Sequence, residues 1–395
     1  MKASQQIGFA LMPHYVRKIL ALSVCTFVFS NLSGCLGIGP YRLKHDELAY
    51  TRSIGIVQKE QMLLNIVKLR YADPPTFLDT TQVISGYSMQ RNGTFTMGGT
   101  AAAGAIPGPQ ISGTIGGILT ENPTITYQPL NGQQYAENII RPIAPAVIMP
   151  LSLGGMPIDM LLRLTAQSID GLSNVSGLGA GPAGGGSVRF YLLLHDLRQL
   201  QEAGALTIRV VRTSAASGGD ASKGGSGKSS SSGDASSGSG ERVYLVFGAT
   251  PDSDLQATES EVRRLLHLDP DARETEVIYG PYPKSPGQMA ILTRSMLAML
   301  TQLSYEVDVP KKDVDSGRTV PTIGQVGIEN RPQVIIHSGK NMPWSPYVSV
   351  TYRGVSYWID DTDYQSKEAF TMIQVLSNLA TTSQKGGAVV TIPVG

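Results

Sequence analysis

The chain has 395 residues, with 32 Lys and Arg against 31 Asp and Glu, 41% hydrophobic residues and two cysteines. Such near-neutrality argues against a nucleic-acid partner, which would require a basic stripe. The length admits two ordinary domains or one large one with insertions, and either can bury a full core.

Arg17 and Lys18 precede an uncharged run, Ile19 to Phe29, followed by Ser30, Asn31 and the tetrapeptide Leu32-Ser33-Gly34-Cys35. This is the order of a secretory signal. The run has 11 residues, whereas a spanning helix needs about 20, so a cleaved signal is expected. The ending resembles the lipobox of bacterial lipoproteins. That resemblance implies a diacylglyceryl thioether on Cys35, cleavage between Gly34 and Cys35, and acylation of the new amino terminus. Two or more acyl chains make detachment from a bilayer slow. Leu36, rather than Asp, follows the cysteine, which by the same resemblance implies the outer membrane, with the body in the periplasm.

Removing the first 34 residues leaves 361, takes away Lys2, Arg17 and Lys18, and brings the balance to 29 basic against 31 acidic residues. Cys25 leaves with the signal. The mature chain then has a single cysteine, committed to lipid, so its fold must hold by packing alone.

After a lipidated tether (35–45), helical periodicity begins near Asp46 and runs to Arg70, where Asp73-Pro74-Pro75 stops it. A strand follows over 77–89, with Gly86 as its expected bulge. Further elements read as strand 124–127, helices 133–141, 157–169 and 190–203, and strand 206–212 (LTIRVVR). Residues 213–240 are almost all Ser, Gly, Ala, Lys and Asp, a composition expected to remain disordered. The strand pattern resumes at Arg242–Phe247, so the two flanking strands are expected to form one hairpin with a lengthened turn, at only a logarithmic cost in closure entropy.

Beyond it come helix 259–268, strand 275–280, a helix over 286–304 led by Ser285 and Pro286, and strands 333–336, 347–352 and 356–359. A helix over 365–380 and a strand over 388–393 close the chain. Helices and mostly antiparallel strands mix without strict alternation, so an α+β fold is expected, with 46–212 and 241–395 as two parts of it.

Several patterns resemble chemical motifs and fail on context. Gly179 to Gly184 matches G-x-G-x-x-G, but a helix and a loop precede it and Pro182 removes an amide. Gly227-Lys228-Ser229 lacks the first glycine of a phosphate loop, since Ser222 stands there. His45, His195, His267 and His337 are scattered. Asp360, Asp361 and Asp363 lack the EF-hand order and suit the end of a strand and the cap of the next helix. No cofactor, metal or catalytic residue is expected.

The strings Asn65 to Asp79 (NIVKLRYADPPTFLD) and Tyr352 to Phe370 (YRGVSYWIDDTDYQSKEAF) resemble segments shared by a group of Gram-negative lipoproteins of unassigned function. The resemblance implies one integral fold and supplies no activity.

One stretch stands apart. Asn92 to Thr120 are 29 consecutive residues without a charge. Phe95, Met97, Ile111, Ile115 and Leu119 share one parity, while Thr94, Thr96, Ser112 and Thr114 share the other. Ile106-Pro107-Gly108-Pro109 forms a turn between two arms of the length of a transmembrane strand, giving a Gly/Ala-rich β-hairpin over 92–122. A single hairpin leaves its edges unpaired, so several copies would have to close a barrel. The leading expectation is therefore an outer-membrane-anchored lipoprotein with a structural or assembly role, extending to a homo-oligomeric pore. The alternatives are a periplasmic lipoprotein that binds a protein or glycan partner, and a hydrolase with a dispersed site.

Overall fold

The computed structural model describes residues 38–98, 110–174, 186–212, 241–322 and 332–382. The chain divides into two units, Met1–Gln58 and Lys59–Gly395. Helix α1 (Ile38–Arg70) spans their boundary and begins inside the stretch expected to be a tether. Its last turn carries Lys68 and Arg70, cations that suit the negative end of a helix dipole.

The second unit holds the remaining described elements, among them the short helices α2 (Gly132–Tyr135) and α3 (Pro145–Ile148), and its architecture is α+β. A six-stranded sheet has the order β4-β3-β8-β7-β6-β5, formed by β3 (Ala166–Ile169), β4 (Leu172–Ser173), β5 (Leu206–Arg212), β6 (Glu241–Phe247), β7 (Glu274–Tyr279) and β8 (Gln288–Thr293). Every pairing is antiparallel except β7 with β8. Helices α4 (Ile158–Thr165), α5 (Val188–Glu202) and α6 (Ser253–Leu265) contribute to the core that includes this sheet, where Leu162, Phe190, Leu193, Leu197, Leu245, Val262 and Met289 are fully enclosed. β5 and β6 pair from Leu206 with Phe247 to Arg212 with Glu241, so the segment 213–240 sits inside one hairpin as expected. That segment's own structure lies outside the described residues, as do 1–37, 99–109, 175–185, 323–331 and 383–395, which include the lipobox, the G-x-G-x-x-G match and the expected last strand.

A second core joins the end of α1 (Leu63, Ile66, Val67) to α7 (Met296–Glu306), α9 (Tyr364–Thr382) and a three-stranded sheet. That sheet has the order β10-β11-β9, from β9 (His337–Gly339), β10 (Val348–Tyr352) and β11 (Val355–Ile359). The β10–β11 turn places Arg353 and Gly354 at φ 51° and 75°, the left-handed pair a two-residue hairpin requires.

The two strings that carry the lipoprotein resemblance meet in this core. Tyr71 and Tyr357 share a 2.7 Å hydroxyl contact, and the Tyr71 hydroxyl also donates to Asp313 of α8 (Lys311–Asp315) at 2.8 Å. Burial holds the protons on both tyrosines by pushing their pKa values up. Tyr352 and Arg353 both bond the Asp73 carboxylate, Arg353 at 3.0 Å. Replacing Tyr357 with Phe removes one partner of the buried Tyr71 hydroxyl. It is expected to cost about 1–2 kcal/mol in urea unfolding with an unchanged far-ultraviolet spectrum.

Three expectations need correction. The helix over 286–304 is a strand followed by a helix: Gln288–Thr293 forms β8, and α7 starts at Met296, where the Ser295 hydroxyl accepts from the Ala298 amide at 3.2 Å. β8 lies inside the sheet and is buried at four of its six positions, three of them consecutive, so it lacks the alternation that marks a half-exposed strand. Likewise, the helix over 157–169 ends at Thr165, and Ala166–Ile169 is β3. Residues 333–336 form no strand, because side chains take the place of a neighbouring strand. Glu306 Oε2 accepts from the Gln333 and Val334 amides at 2.7 and 3.4 Å, and Ser366 Oγ accepts from the Ile335 amide at 2.9 Å.

Candidate functional site

The hairpin is longer than its uncharged tip. β1 (Leu78–Gly98) and β2 (Gln110–Pro129) pair antiparallel from Leu78 with Pro129 to Gly98 with Gln110. The register slips once, between Thr80 and Gln82, and not at Gly86. At about 3.3 Å per residue, the 20 residues of β2 extend roughly 65 Å, about twice a hydrocarbon core of about 30 Å.

Above the slip every rung joins residues of equal parity. Phe95 is opposite Gly113, Met97 opposite Ile111, Gly93 opposite Ile115, and Met89 opposite Leu119. Because successive residues alternate between faces, Phe95, Met97, Ile111, Ile115 and Leu119 all fall on one face of the ribbon. Thr94, Thr96, Ser112 and Thr114 fall on the other, where Thr94 meets Thr114 and Thr96 meets Ser112.

Among the described residues β1 and β2 pair only with each other, and no other element packs extensively on them. A two-stranded ribbon is marginal in water, and its two outer edges are templates for further pairing.

A separate cavity of about 340 Å³ lies in the body. Asp159 and Arg163 reach it from α4, one turn apart, and Tyr191, His195 and Arg198 from successive turns of α5. Gln201 fixes the two helices together: its side chain accepts from the Ile158 amide and donates to the Met156 carbonyl, both at 2.9 Å. Gln333 and Gln365 line it from outside these two helices. Arg198 Nε lies 2.8 Å from Glu202 and 3.9 Å from Asp159. Glu306, which accepts from the Gln333 amide, is buried, and burial pushes its carboxyl up to about 7 against the opposing pull of that amide, Arg163 and Arg294. Arg294 donates to the Arg163 and Leu164 carbonyls at the end of α4 and is itself pushed down to about 10 by burial.

Of these residues the sequence singled out only His195, as one of four scattered histidines. A usable signal was present: polar residues at positions i and i+4 interrupt otherwise apolar helices in IDMLLRLT and YLLLHDLR.

The Asp360 cluster separates into three structural contacts. Asp360 accepts from Trp358 Nε1 at 3.1 Å and lies 3.2 Å from His337 Nε2, whose ring stacks on Trp358 with centroids 5.7 Å apart. Asp361 pairs with Lys367 at 2.8 Å. Asp363 caps α9, accepting from the Ser366 amide at 3.2 Å and its hydroxyl at 2.6 Å. In these contacts Asp360 meets His337 and Trp358, whereas Asp363 meets Ser366 of the helix it precedes.

Among the described residues no group of three His, Cys, Asp or Glu side chains could hold a metal ion. No helix among them is long and apolar enough to cross a membrane. No family model, curated protein or solved structure matches the chain.

Proposed function

We propose that this chain is an outer-membrane-anchored lipoprotein, held through acylated Cys35, with a structural or assembly role in the cell envelope. Its β1–β2 ribbon completes itself against other copies, and in its fullest form the assembly is a homo-oligomeric pore. The observation that carries this reading is the register, which gathers the five apolar residues on one face and the hydroxyl residues on the other. That is the division a strand needs between hydrocarbon and a wet lumen. The uncharged rungs from Asn92 with Gly116 to Gly98 with Gln110 supply seven residues per strand, towards the about 9–11 that a span needs.

The test is the oligomeric state of the full-length lipidated protein after extraction in mild detergent. Stable multimers are expected, and a strictly monomeric protein overturns the assembly reading. Lipid attachment is tested separately by intact mass: the mature chain is expected to begin at Cys35 and carry acyl groups, and Cys35→Ser to accumulate as the uncleaved precursor.

The cavity favours a second reading, a periplasmic lipoprotein that binds a glycan or protein partner. Its wall of planar polar groups suits a hydroxyl-rich ligand, since Asp, Arg and Gln offer paired donors and acceptors. On that reading, Arg198→Ala is expected to weaken binding of a cell-wall glycan fragment about tenfold in calorimetry, with the melting temperature held. No detectable heat with the unmodified protein removes the glycan version.

A further inference from the structure

We propose that Arg91 of one copy and Glu121 of the next form a charge pair that sets the register between neighbouring hairpins. The inference rests on the assembly reading above and names the partner as a second copy of this chain.

Between Thr80 and Gln128 these are the only two charged residues. One stands on each strand, and they share the parity of the apolar face. They also bound the uncharged tip, Arg91 immediately before Asn92 and Glu121 immediately after Thr120. Within one chain they are not rung partners. Arg91 is opposite Gly117 and Glu121 opposite Tyr87, four rungs apart, which is about 13 Å along the ribbon.

Each copy therefore offers a cation on one open edge and an anion on the other. When hairpins point the same way around a ring, β1 of one copy lies antiparallel to β2 of the next, as it does to its own β2. Closing a barrel requires a stagger between strands. Displacing the neighbour by four residues brings Arg91 directly opposite Glu121, and displacing it by two leaves them diagonal, still within cross-strand reach.

The competing arrangement pairs like strands, with two hairpins pointing the same way and β1 on β1. It turns one copy's apolar face to the opposite side of the sheet and brings neither Arg91 to the other copy's Glu121. The charges thus favour a head-to-tail ring over a two-fold dimer. At the edge of a low-dielectric layer an uncompensated charge is costly, which strengthens the preference.

The experiment uses the full-length lipidated protein in mild detergent. Arg91→Glu and Glu121→Arg each place like charges at every interface and are expected to lower the multimeric fraction about tenfold. The double reversal restores the pairing with opposite polarity and is expected to recover the multimer. Circular dichroism and the melting temperature of the body should stay at wild-type values throughout. Multimers of wild-type abundance in both single variants, or their loss in the double reversal, overturn the charge pair while leaving the assembly reading standing. A monomeric wild-type protein overturns that reading, and the pair with it.

Crosslinking gives a readout independent of stability. Because Cys35 is the only other cysteine of the mature chain and carries lipid, Arg91→Cys with Glu121→Cys offers one defined pair of thiols. A disulfide needs Cα atoms within about 7 Å, which the four-rung offset denies within a copy. A ladder of covalent multimers under oxidising conditions is expected, and its absence from wild-type-sized assemblies overturns the inference.

Discussion

Stability of the body falls as pH rises from about 4.5, the ordinary value for a glutamate, towards about 7, the value to which burial raises Glu306. Across that window the folded state holds the Glu306 proton and the unfolded chain does not. Raising the pH therefore draws the equilibrium towards the unfolded state. The stabilisation is fully present below the unfolded value and is lost once the folded value is passed. A difference of this size corresponds to about 3 kcal/mol. Asp170, pushed up to about 6 by burial although the Ala290 amide donates to it, adds a slope of the same sign.

The Glu306→Gln variant separates the two. Its amide oxygen still accepts from the Gln333 amide, but it has no proton to exchange in this range. Denaturant unfolding at intervals between pH 4 and pH 8 is expected to show a shallower curve for the variant, the difference developing between the two values given above. Parallel curves for the two proteins would show that Glu306 is not the group responsible.

Excising Thr94–Leu119 is expected to abolish detergent-stable multimers while the body unfolds at its wild-type denaturant concentration. Among the described residues the hairpin packs extensively on no other element, so its loss removes little from either core. The cut retains the rungs from Leu78 with Pro129 to Ser88 with Thr120, joined by the five residues Met89–Gly93. It removes the apolar and hydroxyl faces of the tip together, and it leaves Arg91 in the new connection, outside the ladder that was proposed to meet other copies. Two measurements decide the matter: multimer size by native mass spectrometry, and the unfolding midpoint by circular dichroism. Intact multimers after the cut would place the assembly surface elsewhere on the chain. A lowered midpoint would mean that the hairpin stabilises the body.

The parts of this protein legible from its sequence are those where a local pattern carries the physics. Alternation identified the hairpin's two faces, because strand parity is a property of consecutive residues. The two flanks of 213–240 could be matched as one hairpin because both are short, β-branched and bounded by turn-forming residues. The lipid anchor at Cys35 is proposed from four letters, because such a signal would be read by processing enzymes and would depend on no fold.

Only the tertiary structure decided what depends on distant neighbours. Gln288–Thr293 became a strand because it lies within the six-stranded sheet, where burial on both faces removes the alternation that would have distinguished it from a helix. Residues 333–336 stayed out of the sheet because Glu306 and Ser366 supply their partners from elements about thirty residues away in sequence. The cavity between α4 and α5 gathers residues from four segments, and no spacing rule joins them. The uncharged hairpin could be read as two faces from the sequence alone. That its ladder continues down to Leu78 and Pro129, leaving Arg91 and Glu121 four rungs apart on opposite edges, follows only from the register, because pairing between strands is set by the fold rather than by either strand.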